Sequence, residues 1–246
     1  MLNKQAVDKL IFALDAASFE EAKSWIELLS DHVGMFKVGK ELFTAVGPKI
    51  IDFIKQRNQR VFLDLKFHDI PNTVARASES AVRLGVDMFN VHASGGSKMI
   101  QETVKAVEAE AAKKGQTKPI VLAVTVLTSL NNDDLKEIGF EKTANDLVLH
   151  LAKMAQKAGA GGVVASPHDI NQLRAHLGKE FTLVIPGIRN AQEAVKDDQK
   201  RTLSAQEAIK LGADYIVVGR PIRKAADPLA ACSNIIQEIC AGMTAA

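Results

Sequence analysis

The chain has 246 residues, of which 47% are hydrophobic, and a formal net charge of +2 at pH 7. This length can bury a substantial core, and the near-neutral charge, with Lys and Arg in short pairs rather than long runs, argues against a nucleic-acid-binding protein. No stretch approaches the roughly 20 apolar residues of a membrane span, and no signal-peptide core is found near the N-terminus, so we expect a cytoplasmic protein.

Short apolar runs alternate with longer amphipathic segments along the whole chain. The apolar runs are β-branched or bulky and too short for independent helices, and they predict strands at residues 9–15, 35–39, 60–66, 88–92, 120–127, 162–165, 182–186 and 215–219. The amphipathic segments predict helices at residues 19–29, 41–56, 74–84, 98–113, 144–158 and 205–211. Strands and helices therefore alternate from end to end.

Local signals mark several helix ends. Ser18 followed by Glu21 has the spacing of a capping box, and Ser97 is expected to cap the helix at residues 98–113. A glycine follows three of the predicted helices, where a left-handed residue commonly ends a helix: Gly85, Gly159 and Gly212. These signals support the element boundaries.

Eight strands separated by helices require parallel crossover connections. The count of eight favours closure into a barrel over an open sheet, and about 250 residues is a typical length for that fold. No linker or change of composition divides the chain. We therefore expect an α/β fold in which residues 1–246 form a single-domain (β/α)8 TIM barrel, with its reactive groups at the C-terminal ends of the strands.

The third predicted strand ends in a charged run. Asp64 and Lys66 alternate with apolar residues and should share the inward face, and Asp69 follows three residues later. The same parity directs Asp15 and Lys37 inward from the first two strands. A structural alternative is an ion-pair network that closes the top of the barrel. Because buried charges rarely stabilise better than apolar packing, the cluster favours a functional interpretation.

A lysine between carboxylates suits one kind of chemistry. The carboxylates keep the ammonium protonated, so that the lysine can deliver a proton to a developing carbanion. An aspartate close to a substrate carboxylate would repel it and lose that repulsion once carbon dioxide leaves. Decarboxylation is therefore one hypothesis for the run around Lys66.

The seventh and eighth strands end in glycine and arginine. Gly187 and Arg189 follow one strand, and Gly219 and Arg220 follow the other. The loops after these two strands often hold a phosphate group in this fold, with backbone N–H groups and the forked donors of arginine. The polar segment from residue 188 to 201 is long enough for a lid over the phosphate, with Gln199 as its contact.

Residues 64–73, DLKFHDIPNT, resemble the signature of the orotidine 5′-phosphate decarboxylase family, bacterial type. Further matching segments follow the family's order along nearly the whole chain: residues 14–15, 37–41, 90–93, 126–129, 186–189, 197–199 and 218–222. The Asp-x-Lys-x-x-Asp core alone is shared with related sugar-phosphate barrels, whereas the complete set is specific. The resemblance implies conversion of orotidine 5′-phosphate to UMP and CO₂, the final step of pyrimidine nucleotide synthesis, without a metal or organic cofactor.

The resemblance also implies residue roles. Lys66 would protonate C6 of the pyrimidine, Asp64 would lie beside the departing carboxylate, and Lys37 would contact Asp64 and the ribose. The remaining implied substrate contacts are Asp15 to the ribose hydroxyls, Thr128 to the pyrimidine, and Arg189, Gln199, Gly219 and Arg220 to the phosphate. Asp69 and Thr73 would enter the neighbouring subunit's site, which implies a homodimer.

Three other functions remain open at this stage. A related sugar-phosphate decarboxylase or aldolase would bind Mg²⁺ through a carboxylate after the second strand, but that position is Lys37, whose ammonium cannot ligate a cation. A non-catalytic barrel for phosphate ligands would keep the phosphate loops but would not need Asp64, Lys66 and Asp69 together. A nucleic-acid module is disfavoured by the charge and by the absence of aromatic platforms.

Overall fold

The computed structural model describes residues 2–188 and 203–245. Its eight strands form a closed barrel in the order β1 to β8. Every strand pairing whose register is given is parallel. The strands are β1 (Leu10–Ala13), β2 (Met35–Gly39), β3 (Val61–Phe67), β4 (Met88–His92), β5 (Ile120–Val124), β6 (Gly162–Val164), β7 (Thr182–Pro186) and β8 (Tyr215–Val218). The predicted α/β barrel class is confirmed.

The helices lie between the strands and at both ends of the described chain. They are α1 (Lys4–Lys9), α2 (Phe19–Leu29), α3 (Lys40–Val46), α4 (Lys49–Lys55), α5 (Pro71–Arg83), α6 (Gly96–Lys114), α7 (Asn132–Glu137), α8 (Ala144–Lys157), α9 (Ile170–Leu177), α10 (Ala205–Lys210), α11 (Arg220–Arg223) and α12 (Pro228–Thr244). No helix in the described ranges is long and apolar enough to cross a membrane.

The residues group into two compact units. One combines the chain up to Leu65 with the chain from Ile185, and the other spans Lys66–Val184. In the first unit, β1 pairs with both β2 and β8, and β2 pairs with β3. In the second unit, β4, β5, β6 and β7 pair in sequence order.

Aromatic side chains fill the core of the first unit. Phe12 and Phe36 are register partners on β1 and β2, and their rings meet edge to face with centroids 6.2 Å apart. Trp25 of α2 packs on Phe12 with centroids 5.6 Å apart. Both phenylalanines are fully buried, and each burial contributes about 1.5–3 kcal/mol relative to an exposed side chain. This packing holds α2 against the strands whose ends carry the charged residues.

Local helix signals gave mixed results. The side chain of Ser18 accepts the N–H of Glu21, as predicted, and the glycines after α5, α8 and α10 have φ values of 69°, 91° and 107°. The predicted helix at residues 41–56 is two helices, because Gly47 is left-handed at φ 68° and Pro48 caps α4. The prediction for Ser97 is wrong. α6 begins at Gly96 and is capped by Gly95, where any Cβ would collide with Met99.

A cluster of polar contacts lies at the N-terminal ends of β1, β2 and β3. Arg60, directly before β3, donates from Nε to the carbonyl of Gly34 at 2.9 Å. It also donates from Nη2 to the carbonyl of Asp8 at 2.8 Å and to Asp8 Oδ1 at 3.4 Å. One guanidinium therefore joins the segments that enter three neighbouring strands. We call these three residues the Arg60 cluster.

Candidate active site

Lys37 lies between two carboxylates at the C-terminal ends of the same three strands. Its Nζ is 3.2 Å from Asp64 Oδ2 and 3.4 Å from Asp15 Oδ1. The side chains of Lys37 and Asp64 are only 13% and 12% exposed, whereas Asp15 is 42% exposed. The predicted convergence of these three residues is therefore present, and we call them the Lys37 cluster.

The Lys37 cluster holds one ammonium between two carboxylates. Arg223 of α11 approaches Asp15 Oδ2 at 4.0 Å, but it is also 3.9 Å from Glu21. An ion pair at such a distance, with partly exposed side chains, contributes little. Part of the Asp15 carboxylate therefore stays open to solvent.

Gly39 provides the space that the Lys37 ammonium occupies. A Cβ at residue 39 would lie 3.2 Å from Lys37 Nζ and 3.8 Å from Asp15 Oδ1. Its backbone, at φ −92° and ψ −179°, is extended and open to any residue. Gly39 is also the N-cap residue of α3, a position where glycine is itself among the favoured residues. A side chain at residue 39 would in addition crowd the Lys37 ammonium, which is a second constraint on this position.

Lys66 has an unusual backbone conformation. It lies on β3 two residues after Asp64 and has φ 52°, in the left-handed region. That region costs an ordinary L-residue about 1–2 kcal/mol. The strict alternation that we expected along β3 therefore does not extend through Lys66. Strain of this kind is typical of functional sites.

The strained residue is held by a buried side chain. The N–H of Lys66 donates to Asn90 Oδ1 on β4 at 2.7 Å, and Asn90 is 1% exposed. A buried amide oxygen without a donor would be costly, so this bond stabilises both partners. Sequence analysis missed Asn90 as a site residue. The available signal was an amide inside the otherwise apolar strand β4.

The loop after β3 is open to solvent. His68, Asp69 and Ile70 are exposed, and the side chain of Ile70 is 67% exposed. Asp69 Oδ1 accepts the N–H of Ile70 at 2.6 Å. Thr73, in the first turn of α5, is exposed as well. In this chain, Asp69 and Thr73 thus present their side chains to solvent.

The other predicted substrate contacts lie after β8, after β5 or outside the described residues. Gly219 follows β8, and a Cβ there would lie 3.1 Å from Ala13 Cβ and 3.6 Å from Asp15 Oδ2. Arg220 is exposed at the start of α11, and Thr128 is exposed in the segment between β5 and α7. Arg189, Gln199 and the predicted lid around them lie outside the described residues.

Within residues 2–188 and 203–245, no group of three or more His, Cys, Asp or Glu is arranged to hold a metal ion. The carboxylates of Asp15 and Asp64 have the ammonium of Lys37 between them. The expectation of a reaction without a metal stays a prediction.

Comparison with known families agrees with this geometry. Residues 8–235 match the sequence model described as the orotidine 5′-phosphate decarboxylase / HUMPS family. The chain belongs to this family. The predicted resemblance is thereby confirmed, and the match covers most of the chain, including both the Arg60 cluster and the Lys37 cluster.

Individual relatives are similar over their full length. A protein of Syntrophus aciditrophicus named orotidine 5′-phosphate decarboxylase is 54% identical over 246 residues, covering 100% of this chain and 98% of the relative. One of Geobacter metallireducens with the same name is 51% identical and covers 98% of this chain and 100% of the relative.

Solved structures show the same fold. The crystal structure of orotidine 5′-phosphate decarboxylase from Lactobacillus acidophilus has a TM-score of 0.81 and 38% identity, covering 93% of this chain and 97% of the other. The corresponding structure from Pyrococcus horikoshii has a TM-score of 0.73 and 27% identity, covering 94% and 99%.

Proposed function

We propose that this protein decarboxylates orotidine 5′-phosphate to UMP and CO₂, the final step of pyrimidine nucleotide synthesis. The observation that carries the proposal is the Lys37 cluster, whose Asp64 lies two residues before the strained Lys66. The chain is also 54% identical to a relative named orotidine 5′-phosphate decarboxylase. We further propose that residues 1–246 act as one catalytic domain. The expected cytoplasmic location stays a prediction.

The proposed chemistry centres on β3. The bond between C6 and the substrate carboxylate breaks, CO₂ leaves, and the electron pair remains at C6. The Lys66 ammonium donates its proton to C6, and the resulting amine regains a proton from solvent. Asp64 faces the carboxylate in the ground state, and its repulsion is relieved as neutral CO₂ forms. No metal or organic cofactor takes part.

The Lys37 cluster orients the substrate in this proposal. Lys37 contacts the ribose while it keeps Asp64 in place, and Asp15 accepts from the ribose hydroxyls. Its exposure of 42% supports the latter role, because part of the carboxylate remains accessible. The remaining proposed contacts are Thr128 at the pyrimidine and Arg189, Gln199, Gly219 and Arg220 at the phosphate, with Gln199 on the lid.

We also propose a homodimer with shared sites. Asp69 and Thr73 would enter the active site of the second copy, which accords with their exposure in this chain. Mixing Lys66→Ala with Asp69→Ala chains tests this, because each mixed dimer would contain one intact site. Random exchange should restore about a quarter of wild-type activity. Complete absence of recovery in mixed dimers would contradict the shared site.

The main test follows the loss of orotidine 5′-phosphate by ultraviolet absorbance in metal-free buffer. Wild type should turn over with EDTA present, and Lys66→Ala should lose nearly all activity while remaining folded. Lys105→Ala, at an exposed lysine of α6, serves as the matched control and should behave as wild type. Absence of wild-type turnover would refute the proposal, and turnover that requires Mg²⁺ would favour a related sugar-phosphate enzyme.

A further inference from the structure

The side chain of Asn90 accepts a hydrogen bond from the backbone N–H of Lys66. We propose that Asn90 is a positioning residue, whose side-chain oxygen holds the backbone of Lys66 in its left-handed conformation and thereby directs the Lys66 ammonium. This inference rests on the proposed function, since it concerns the residue that donates the proton. Asn90 itself need not touch the substrate.

The conformation of Lys66 has no local explanation. Only two non-glycine residues in the described chain have positive φ, and the other is Asn58 at φ 56°. Asn58 lies in a turn after α4, and asparagine tolerates this region because its short side chain can bond the local backbone. Lys66 has no such side chain and lies within a strand. A contact from elsewhere in the chain must therefore maintain its conformation.

Asn90 supplies that contact from 24 residues away. It lies in the middle of β4, where it is register partner to Leu122 of β5, and it is 1% exposed. An amide in so apolar a strand is unfavourable unless it is hydrogen-bonded. Its Oδ1 is 2.7 Å from the N of Lys66, at the short end of the range for such bonds. The hydrogen bond from the Lys66 N–H supplies a partner for this buried amide oxygen.

The backbone of Lys66 determines where its side chain starts. A change of φ from 52° to an extended value would rotate the Cα–Cβ bond and move the ammonium away from its present direction. A displacement of about 1 Å in a catalytic group can reduce turnover by about 100-fold. Asn90 would therefore influence the rate of the chemical step more than substrate affinity.

The first variant is Asn90→Leu, which keeps the side-chain size but lacks the acceptor. We expect kcat to fall by about 10–100-fold with KM changed by less than about threefold. We also expect the Lys66 amide to lose its protection against hydrogen exchange in NMR spectra, while amides elsewhere in β3 and β4 keep theirs. A purely structural role would lower stability without this split between kcat and KM.

Two further variants keep the test decisive if Asn90→Leu does not fold. Asn90→Asp retains an acceptor oxygen, whereas Asn90→Ser is too short to reach the Lys66 amide, so the serine variant should have the lower kcat. Thr103→Val is the matched control. Thr103 is fully buried on α6, its Oγ1 has no partner among the described residues, and its loss should leave activity unchanged.

The outcomes separate the two proposals. If wild type has no turnover, the proposed function fails, and amide exchange at Lys66 still tests the Asn90 contact. If wild type turns over and a folded Asn90→Leu has wild-type kcat and a protected Lys66 amide, the inference alone is overturned. A serine variant with wild-type kcat would overturn it equally.

Discussion

The two ends of β1, β2 and β3 carry charged clusters of different construction. In the Arg60 cluster, the donors of one guanidinium are matched by two backbone carbonyls and a carboxylate. In the Lys37 cluster, one ammonium faces two carboxylates, and a glycine leaves space beside it. The same three strands therefore carry an arginine bound largely to backbone carbonyls on one side and a lysine between carboxylates on the other.

The difference shows how charge is used in this fold. Arg60 donates to backbone carbonyls of the segments that enter β1 and β2, which is a contribution to stability. The Lys37 cluster places an ammonium between two carboxylates in a partly buried place, and such clustered charge is kept for function more often than for stability. C-terminal strand ends of barrels carry function and N-terminal ends carry stability, and the two clusters follow this division.

The largest effect is expected at Lys37. Lys37→Ala removes the ammonium between Asp15 and Asp64, so we expect kcat/KM to fall by roughly 10²–10³-fold while the protein remains folded. Steady-state kinetics and a thermal melt measure the two quantities. Lys40→Ala, at the exposed neighbour on α3, is the control. Activity within threefold of wild type would show that the Lys37 cluster, like the Arg60 cluster, contributes to stability and not to catalysis.

The Arg60 cluster should respond in the opposite way. Arg60→Ala leaves two partly buried carbonyls without their donor, and we expect the free energy of unfolding to fall by about 2–3 kcal/mol with kcat unchanged. Urea denaturation gives the first value and initial rates the second. Arg60→Lys should recover only part of the loss, because it lacks the forked donors.

An exposed arginine provides the control for Arg60. Arg76 on α5 pairs with Glu79 at 2.9 Å but its side chain is 71% exposed, so Arg76→Ala should change stability by less than about 0.5 kcal/mol. If Arg60→Ala lowered kcat tenfold without loss of stability, the division between the two ends would be wrong.

Gly39→Ala should have a smaller effect on activity. The new methyl group would displace the end of a flexible lysine side chain rather than backbone, so we expect about a tenfold loss of kcat/KM and unchanged stability. In a protein that already carries Lys37→Ala, Gly39→Ala should cause no further loss of kcat/KM. Gly161→Ala, whose Cβ would lie 3.2 Å from Ile120 Cγ2, tests whether crowding alone explains the result.

The smallest effect is expected for the stability of a variant at Asp169, a buried carboxyl outside both clusters. Burial raises the pKa of this carboxyl, and the N–H of Ser166 and nearby His168 offset the rise only in part. The ionised form is therefore penalised in the folded state, so stability decreases as pH rises through the folded pKa. Asp169→Asn keeps an acceptor for Ser166 and should be slightly more stable at pH 7.

Denaturation at two pH values checks the sign for Asp169. The greater stability of Asp169→Asn should disappear below the pKa of an aspartate in the unfolded chain, because the carboxyl is then protonated in both the folded and the unfolded protein. A variant that is less stable at neutral pH would show that the ionised carboxylate is favoured there.

Local chemistry predicted much of the fold. Three strands, at residues 35–39, 88–92 and 182–186, have the predicted bounds, and the others differ by no more than three residues at an end. Strand periodicity and capping depend on near neighbours, so they can be read from sequence. α7 was missed although Asn131 forms a capping box with Asp134, because six residues give little periodic signal.

The sequence by itself determined the alternation of elements, the barrel class and the inward charges of the Lys37 cluster. Tertiary structure alone decided the conformation of Lys66 and its hydrogen bond to Asn90. Lysine prefers the right-handed and extended regions, so no local pattern predicts φ 52°. The contact to its N–H comes from a strand 24 residues away. The crowding that a side chain at residue 39 would cause depends on Lys37 of the same strand and on Asp15, which follows β1.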